Sequence, residues 1–314
     1  MGRRIAVTTP GPHTTQGVAM NDWTSANIPD QTGRTVVVTG ANSGLGAETA
    51  KALVAAGAHV ILACRNTTKA DAVASKLGPN ATVAELDLAD LASVRSFASS
   101  FTGADVLINN AGLMAVPLRR TADGFEMQIG TNHLGHFALT ALLLPKITDR
   151  VVTVSSGVHQ IGRIQLDDLN WEQRRYRRWQ AYGDSKLANL MFGLELAKRL
   201  KDAGSSKQSF IAHPGYAATE LQGRSENFTD VVAKLGNKLP IAQSAADGAL
   251  PQLYAATMSG LESGTYFGPT KFFGLHGAPG RNKYKKVADD ESFRARLWAE
   301  SERLTGEKFD VSAG

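Results

Sequence analysis

Residues 35–46 read TVVVTGANSGLG and give the strongest indication of the fold. The β-branched run Thr35–Thr39 predicts a short buried strand, and the glycines that follow it predict a tight turn into a helix. Glycines at such a turn let the backbone approach a pyrophosphate, which the free N–H groups at the helix N-terminus would bind. We therefore interpret the turn as a dinucleotide-binding loop, although its spacing, G-x3-G-x-G, is not the usual G-x-G-x-x-G. The residues expected to contact the dinucleotide are Gly40, Asn42, Ser43, Gly44, Leu45 and Gly46.

Strands and helices alternate on the C-terminal side of this loop. Short apolar runs predict strands at 60–63, 82–86, 106–108, 151–154 and 210–212. Segments with helical spacing lie at 47–56, 69–77, 91–101, 125–144 and 182–201. This alternation is typical of βαβ units and predicts an α/β fold in which helices cover both faces of a mostly parallel sheet. No break in composition divides the chain, so we expect one domain over residues 31–314 after an irregular, partly disordered extension at 1–30.

Composition and charge narrow the classes of function. The chain has 314 residues, of which 43% are hydrophobic and 20% charged, so a full globular core is expected. Its net charge of +5 suits a small anionic ligand but is too small an excess to favour a nucleic-acid partner. Cys64 is the only cysteine, so no intrachain disulfide can form, which favours the reducing cytoplasm.

The N-terminus and the longest apolar run bear on membrane association. Pro10 and Pro12 interrupt the N-terminus before a signal-peptide core could form, so we expect no secretion signal. The longest apolar run, at 137–144, is far short of the ~20 residues of a membrane-spanning helix, so we expect no integral membrane segment. Met20 offers an alternative start, in which case 1–19 would not belong to the natural protein.

The end of the second predicted strand bears on the choice of dinucleotide. An NAD site usually carries a carboxylate there, about 20 residues after the glycine loop, to hold the ribose hydroxyls. This chain has Arg65 instead, whose guanidinium can bind a 2′-phosphate in a bidentate manner. We therefore expect NADP(H) to be preferred over NAD(H); the alternative is that Arg65 is a solvated surface residue. Asp87 and Leu88 follow the third strand at the same edge, where Asp87 would bind the adenine amino group or cap the next helix.

A tyrosine and a lysine one helical turn apart form the candidate catalytic pair. Tyr182 and Lys186 open a helical segment, and positions four apart share a helix face. A free phenol has a pKa of about 10, and a neighbouring ammonium would lower it toward the range useful for general acid–base catalysis. Ser155 and Ser156 end a preceding strand, where a hydroxyl can hold a carbonyl oxygen near the phenol. Asn132 lies inside a predicted helix, which indicates either a local kink or a functional role.

Six motifs occur in a fixed order, namely TGANSGLG, NNAG, NHLG, VSS, YxxxK and HPG. Over roughly residues 34–270 the chain resembles the short-chain dehydrogenase/reductase family. The residues within its motifs are similar to those of the retinol dehydrogenase and protochlorophyllide reductase branch. The resemblance implies a Rossmann-type, doubly wound domain, for which we expect a seven-stranded sheet. It implies an enzyme that interconverts a carbonyl and an alcohol on a small, apolar substrate. It also suggests a homodimer or tetramer that pairs through the helix bearing Tyr182.

The same resemblance implies roles for individual residues. Tyr182 would be the acid/base, Lys186 would lower its pKa and hold the nicotinamide ribose, and Ser156 would orient the substrate oxygen. Ser155 is the alternative for that last role, and Asn132 would hold a water that relays protons from Lys186. The adenosine side would be lined by Asn109, Ala111 and Gly112, and the nicotinamide end by Pro214, Gly215 and Thr219.

One departure from the family leaves the substrate undetermined. Ser156 and Tyr182 are 26 positions apart, about twice the separation in shorter members, and the extra residues are rich in arginine and aromatic side chains. The insert at 158–180 is either part of the substrate rim or a solvated surface helix. The segment at 216–240 has no clear periodicity and is a second candidate for the rim.

Other classes of protein agree less well with these motifs. A non-catalytic, dinucleotide-binding regulatory protein is the main alternative, but it would not need the Tyr182–Lys186 pair. A sugar-nucleotide epimerase or dehydratase would have a different glycine loop and a larger C-terminal part. The histidines and Cys64 show no ligand spacing, so we expect no metal site.

Overall fold

A single eight-stranded sheet forms the centre of the computed structural model, which describes residues 22–216 and 243–311. The strand order is β3-β2-β1-β4-β5-β6-β7-β8, and every neighbouring pair is parallel except the last. The order reverses between β1 and β4, which makes that edge the topological switch point. The strands are β1 Thr35–Thr39, β2 His59–Cys64, β3 Ala81–Glu85, β4 Ala104–Asn109, β5 Ile147–Val154, β6 Gln208–Ala212, β7 Tyr266–Lys271 and β8 His276–Arg281.

Helices cover both faces of the sheet. Because side chains alternate along a strand, Val37 of β1 belongs to one buried cluster while Val36 and Val38 belong to the other. The helices are α1 Gly44–Ala55, α2 Thr67–Leu77, α3 Leu91–Ser100, α4 (Met127–Ile129, Gly130–Leu134 and Gly135–Leu143), α5 Arg178–Asp202, α6 Ala245–Thr257 and α7 Glu291–Thr305. Residues of α3, α4, α5 and α7 pack on the face of Val37, and residues of α1, α2 and α6 pack on the face of Val36 and Val38. None of the helices within 22–216 and 243–311 has the length and apolarity needed to cross a membrane.

The parallel α/β architecture is confirmed, but the expected strand count of seven is wrong. The eighth strand, His276–Arg281, pairs antiparallel with β7 at the edge of the sheet. Its sequence HGAPGR contains two glycines and a proline, residues that are depleted in strands and tolerated mainly at edges. No apolar alternation therefore marks it in the sequence.

The single helix expected over 125–144 is interrupted. Its middle, Gly130–Leu134, is a π-helical turn, and the helical segment begins only at Met127. Glu126 caps the start, because its carboxylate accepts the backbone N–H groups of Gln128 and Ile129. Such π-helical bulges are rare, and those that occur are frequently at functional sites. Asn132 lies within this one.

Two segments outside the regular elements contribute buried aromatic side chains. Trp23, in the predicted irregular extension, is buried and stacks edge-on against Tyr254 with ring centroids 5.2 Å apart. The insert contains only short 3-10 turns, at Gly157–Ile161 and Leu166–Asp168, before α5 begins. The insert is therefore not a surface helix, because its chain is irregular; many of its side chains are exposed, and Trp171 is buried.

Candidate active site

A cleft opens at the carboxyl ends of β1 to β4, at the switch point of the sheet. Eleven of the predicted cofactor residues line it, which are Gly40, Asn42, Ser43, Gly44, Leu45, Gly46, Arg65, Asp87, Leu88, Ala111 and Gly112. Several further residues line it that the sequence did not single out, including Asn66, Lys69, Asn110, Leu113 and Thr131. Of these, Asn110 stands inside the NNAG motif and Lys69 in the first turn of α2, which were the available signals.

The glycines of the loop are required by its geometry. Gly40 has a φ of +67°, and a Cβ atom there would lie 2.9 Å from the Cβ of Ala111. A Cβ on Gly46 would meet the carbonyl oxygen of Gly40 and would lie 2.7 Å from the Nδ2 of Asn110. The loop therefore packs directly against the end of β4 and exposes backbone N–H groups at the start of α1, which fits a pyrophosphate.

The adenosine side of the cleft contains an ion pair. Arg65 Nη1 lies 3.7 Å from Asp87 Oδ2, and the Arg65 side chain is 61% exposed. The other carboxylate oxygen of Asp87 accepts the backbone N–H of Ala89 at 2.9 Å. Arg65 thus lines the cleft with an accessible guanidinium, while Asp87 combines a local backbone contact with a contact to Arg65.

The two asparagines at the end of β4 point in different directions. Asn109 is fully buried, and its Nδ2 donates to Thr140 Oγ1 at 2.9 Å. Asn109 therefore does not line the cleft, whereas Asn110 does, with its Nδ2 donating to the Thr39 carbonyl at 2.8 Å. Because successive side chains at a strand end point in opposite directions, Asn110 lines the cleft in place of the predicted Asn109.

The candidate catalytic residues converge on the adjoining ends of β5 and α5. Tyr182 is only 6% exposed, and a hydrogen bond links it to the side chain of Ser156. Burial raises the pKa of Tyr182 to about 12, and the Ser156 hydrogen bond lowers it only in part. The phenol is therefore protonated at neutral pH.

The lysine of the pair is also buried. Lys186 Nζ donates to the Val154 carbonyl at 3.1 Å and lies 5.9 Å from the centroid of the Tyr182 ring. Burial lowers the pKa of Lys186 to about 8. The expected lowering of the Tyr182 pKa by Lys186 is not found: desolvation raises the pKa of the phenol, and the hydrogen bond with Ser156 is what opposes it.

The two serines at the end of β5 have different surroundings. Ser155 is buried, and its hydroxyl donates to the Lys186 carbonyl at 2.8 Å, which ties α5 to β5. Ser156 is half-buried and accepts the Val158 backbone N–H at 3.2 Å through its hydroxyl oxygen. Ser156 is thus the serine beside the phenol, while Ser155 holds the helix that carries Tyr182.

The side chain of Asn132 connects the π-helical turn to the chain after β4. Its Nδ2 donates to the Leu113 carbonyl and to Ser185 Oγ, both at 2.9 Å, and its Oδ1 accepts the Leu113 N–H at 2.7 Å. A Cβ on Gly112 would lie 3.3 Å from both Asn132 Oδ1 and Lys186 Nζ. Asn132 therefore stands next to Lys186 and to the cleft.

Other predicted contacts follow β6, the neighbour of β5 in the sheet. Gly215 has a φ of +68°, and a Cβ there would lie 2.5 Å from the Leu275 carbonyl oxygen. The side chain of Gln243 donates to the Pro214 carbonyl. These residues do not line the cleft described above. Thr219 and nearly all of the predicted rim segment 216–240 fall outside the described residues.

Hydrogen bonds attach the insert to the body of the protein. The Tyr176 hydroxyl lies 2.9 Å from Glu126 Oε1 and 3.1 Å from the Val116 carbonyl, and Gln128 Nε2 donates to it at 2.9 Å. Burial raises the pKa of Glu126 despite these contacts. The insert is thereby fixed to the start of α4.

The last part of the insert reaches the candidate catalytic tyrosine. The rings of Trp179 and Tyr182 meet edge-on with centroids 6.3 Å apart, and Trp179 is only half-buried. A partly exposed indole beside the phenol is an apolar surface at the mouth of the site.

Comparisons with known proteins agree with this geometry. The family model described as short chain dehydrogenase matches residues 34–229. Human retinol dehydrogenase 13 is 42% identical over 300 residues, which cover 90% of this chain and 86% of the relative. Human retinol dehydrogenase 12 is 40% identical over 302 residues, covering 91% and 90%. The crystal structure of an uncharacterized protein from Mycobacterium paratuberculosis is 51% identical, with a TM-score of 0.80, and the match covers 91% of this chain and 98% of that one.

Proposed function

The chain belongs to the short-chain dehydrogenase family and is an oxidoreductase acting on CH–OH groups with a nicotinamide dinucleotide, and we propose that it prefers NADP(H) and uses Tyr182 as proton donor and acceptor. The observation that carries the proposal is the buried, Ser156-bonded phenol of Tyr182, which adjoins the glycine-loop cleft through Lys186 and Gly112. A non-catalytic dinucleotide-binding protein would not require this arrangement.

The protonated phenol of Tyr182 supports its role as the proton donor in carbonyl reduction. The raised pKa of Tyr182, about 12, keeps the proton on the phenol, ready to be given to a developing alkoxide. Ser156 would hold the substrate oxygen beside that hydroxyl. When bound, the dinucleotide supplies or accepts the hydride. Alcohol oxidation would need the phenolate, which burial disfavours.

Lys186 and Asn132 would support this proton transfer. Lys186, with its pKa lowered to about 8, would hold the nicotinamide ribose and deliver a proton to Tyr182. The neighbouring Asn132 would hold a water on the path from Lys186 to solvent. Its side-chain contacts with Leu113 and Ser185 support a fixed position for such a water-binding group.

Arg65 supports the preference for NADP(H). Its guanidinium lines the cleft at the end of β2, where a 2′-phosphate on the adenosine ribose would lie. Lys69 lines the same part of the cleft and would add a second positive charge. Asp87 would face the adenine side, as a partner of Arg65.

An apolar substrate is supported by Trp179 and by the relatives. The half-exposed indole beside Tyr182 would contact an apolar group attached to the reacting carbon. The two human relatives are named retinol dehydrogenases, so we propose long apolar aldehydes or ketones as the substrate class.

The proposed location is the cytoplasm. The single cysteine supports a reducing compartment of this kind.

A substrate screen tests this proposal. NADPH or NADH oxidation would be measured with short aldehydes, long apolar aldehydes including retinal, ketones and quinones. We expect turnover with NADPH, and the highest kcat/KM with a long apolar carbonyl. Tight NADPH binding without turnover on any carbonyl would favour the regulatory alternative instead.

A further inference from the structure

His159 is a buried histidine that follows the active-site serine in the chain. It lies in the 3-10 turn Gly157–Ile161 and is only 1% exposed. Its Nδ1 is 2.6 Å from the carbonyl oxygen of Ser156, and its backbone N–H donates to the same oxygen at 3.0 Å. The carbonyl of Ser156 is thus held by two donors from one residue.

The other ring nitrogen of His159 contacts a distant part of the chain. Nε2 lies 3.3 Å from the backbone nitrogen of Lys285, whose N–H can only donate. Nε2 must therefore accept, which leaves the single proton of a neutral imidazole on Nδ1, where it points to the Ser156 carbonyl. Burial lowers the pKa of His159, in agreement with the neutral form.

The surroundings of His159 come from several elements. Lys285 Nζ donates to the Gly162 carbonyl at 2.6 Å, a second connection between the same two segments. The Tyr266 ring packs edge-on against the imidazole at 5.5 Å, and its hydroxyl, 3.4 Å from Nδ1, is hydrogen-bonded to Ser155. The ring of His213 stacks on that of Tyr266 with centroids 5.0 Å apart.

We propose that His159 is a positioning residue, whose Nδ1–H fixes the Ser156 carbonyl and so aims the Ser156 hydroxyl at the phenol of Tyr182. The Nε2 contact with Lys285 sets the tautomer that makes this possible. The inference rests on the proposed function, because positioning matters only if Ser156 holds the substrate oxygen. It also explains how a segment more than 100 positions away in the sequence supports the active site.

Two variants separate the two ring nitrogens. In His159→Asn the amide can reach the Nδ1 position and donate to Ser156, whereas in His159→Gln it reaches the Nε2 position and contacts Lys285 instead. We expect His159→Asn to keep kcat within about threefold, and His159→Gln to lose about tenfold, the effect of one hydrogen bond. The KM for NADPH should stay unchanged in both, and both should lose similar Tm. His59→Gln, on the amino end of β2, is the matched control.

Equal loss of kcat in the two variants, in proportion to the loss of Tm, would make His159 a purely structural residue and overturn the proposal. Full kcat in both would overturn it as well. If the wild type shows no turnover, or Tyr182→Phe keeps it, the proposed function fails instead. The tautomer is then still measurable by 15N NMR of the wild-type imidazoles, assigned by difference with His159→Asn. A proton on Nδ1 is expected, and a proton on Nε2 would contradict the positioning role.

Discussion

Replacement of Arg65 by alanine tests the cofactor preference, and the structure sets the size of the effect. A charge-assisted hydrogen bond contributes about 1.5–3 kcal/mol. Arg65 is 61% exposed, so solvent screening favours the low end of that range, about 1.5 kcal/mol. The KM for NADPH should therefore rise about tenfold in Arg65→Ala. The KM for NADH should change less than twofold, because NADH lacks the 2′-phosphate.

The assay is steady-state kinetics with both cofactors at a saturating carbonyl substrate. Arg281→Ala is the matched control, since Arg281 is also 61% exposed and paired with a carboxylate, that of Glu262 at 2.8 Å. Arg281 does not line the cleft, so its variant should leave both KM values unchanged. Equal shifts for NADPH and NADH in Arg65→Ala, or no shift at all, would refute the role assigned to Arg65.

Further variants test the rim, the insert and the buried histidines. Trp179→Ala should raise the KM of a long apolar carbonyl about tenfold while leaving that of a short aldehyde unchanged, and Trp179→Phe should retain most of the affinity; equal effects on both substrates would exclude a contact with the apolar part. Tyr176→Phe should lower the free energy of unfolding by about 1–3 kcal/mol in urea titrations, because the buried Glu126 carboxylate loses a donor; an unchanged midpoint would contradict this. Burial lowers the pKa of His133 to about 4, of His136 to about 3 and of His213 to about 4. As the pH falls, these groups are therefore protonated in the unfolded chain before they are protonated in the folded protein. The free energy of unfolding should fall as the pH drops from about 6.5 toward 4, by up to ~1.4 kcal/mol per pH unit for each group. Urea midpoints that stay constant over that pH range would show that these three histidines are not buried in neutral form.

Much of the cleft could be predicted from local sequence. The glycine loop, Arg65 and Asp87 each follow a strand directly, and parallel strands bring their carboxyl ends to one edge. The position of each residue relative to its strand therefore sufficed to place it in the cleft. Ser156 follows the end of β5 in the same way, whereas its expected place beside Tyr182 came from the resemblance to the family.

The features that escaped prediction depend on contacts distant in sequence or on a one-residue difference. Which of Asn109 and Asn110 faces the cleft is decided by the last residue of β4, a boundary that local patterns do not define. The raised pKa of Tyr182 reflects burial, which the spacing of Tyr182 and Lys186 does not reveal. The contact of His159 with Lys285 joins segments that no motif connects.

The most direct test of Tyr182 as the proton donor is the turnover of Tyr182→Phe on a carbonyl substrate that the wild type reduces, measured with saturating NADPH. The variant removes the phenolic proton and leaves the glycine-loop cleft intact, so NADPH should bind with unchanged affinity. We predict a fall in kcat of at least about 100-fold, the usual contribution of a general acid. Retention of full kcat in Tyr182→Phe would contradict the assignment of Tyr182 as the proton donor.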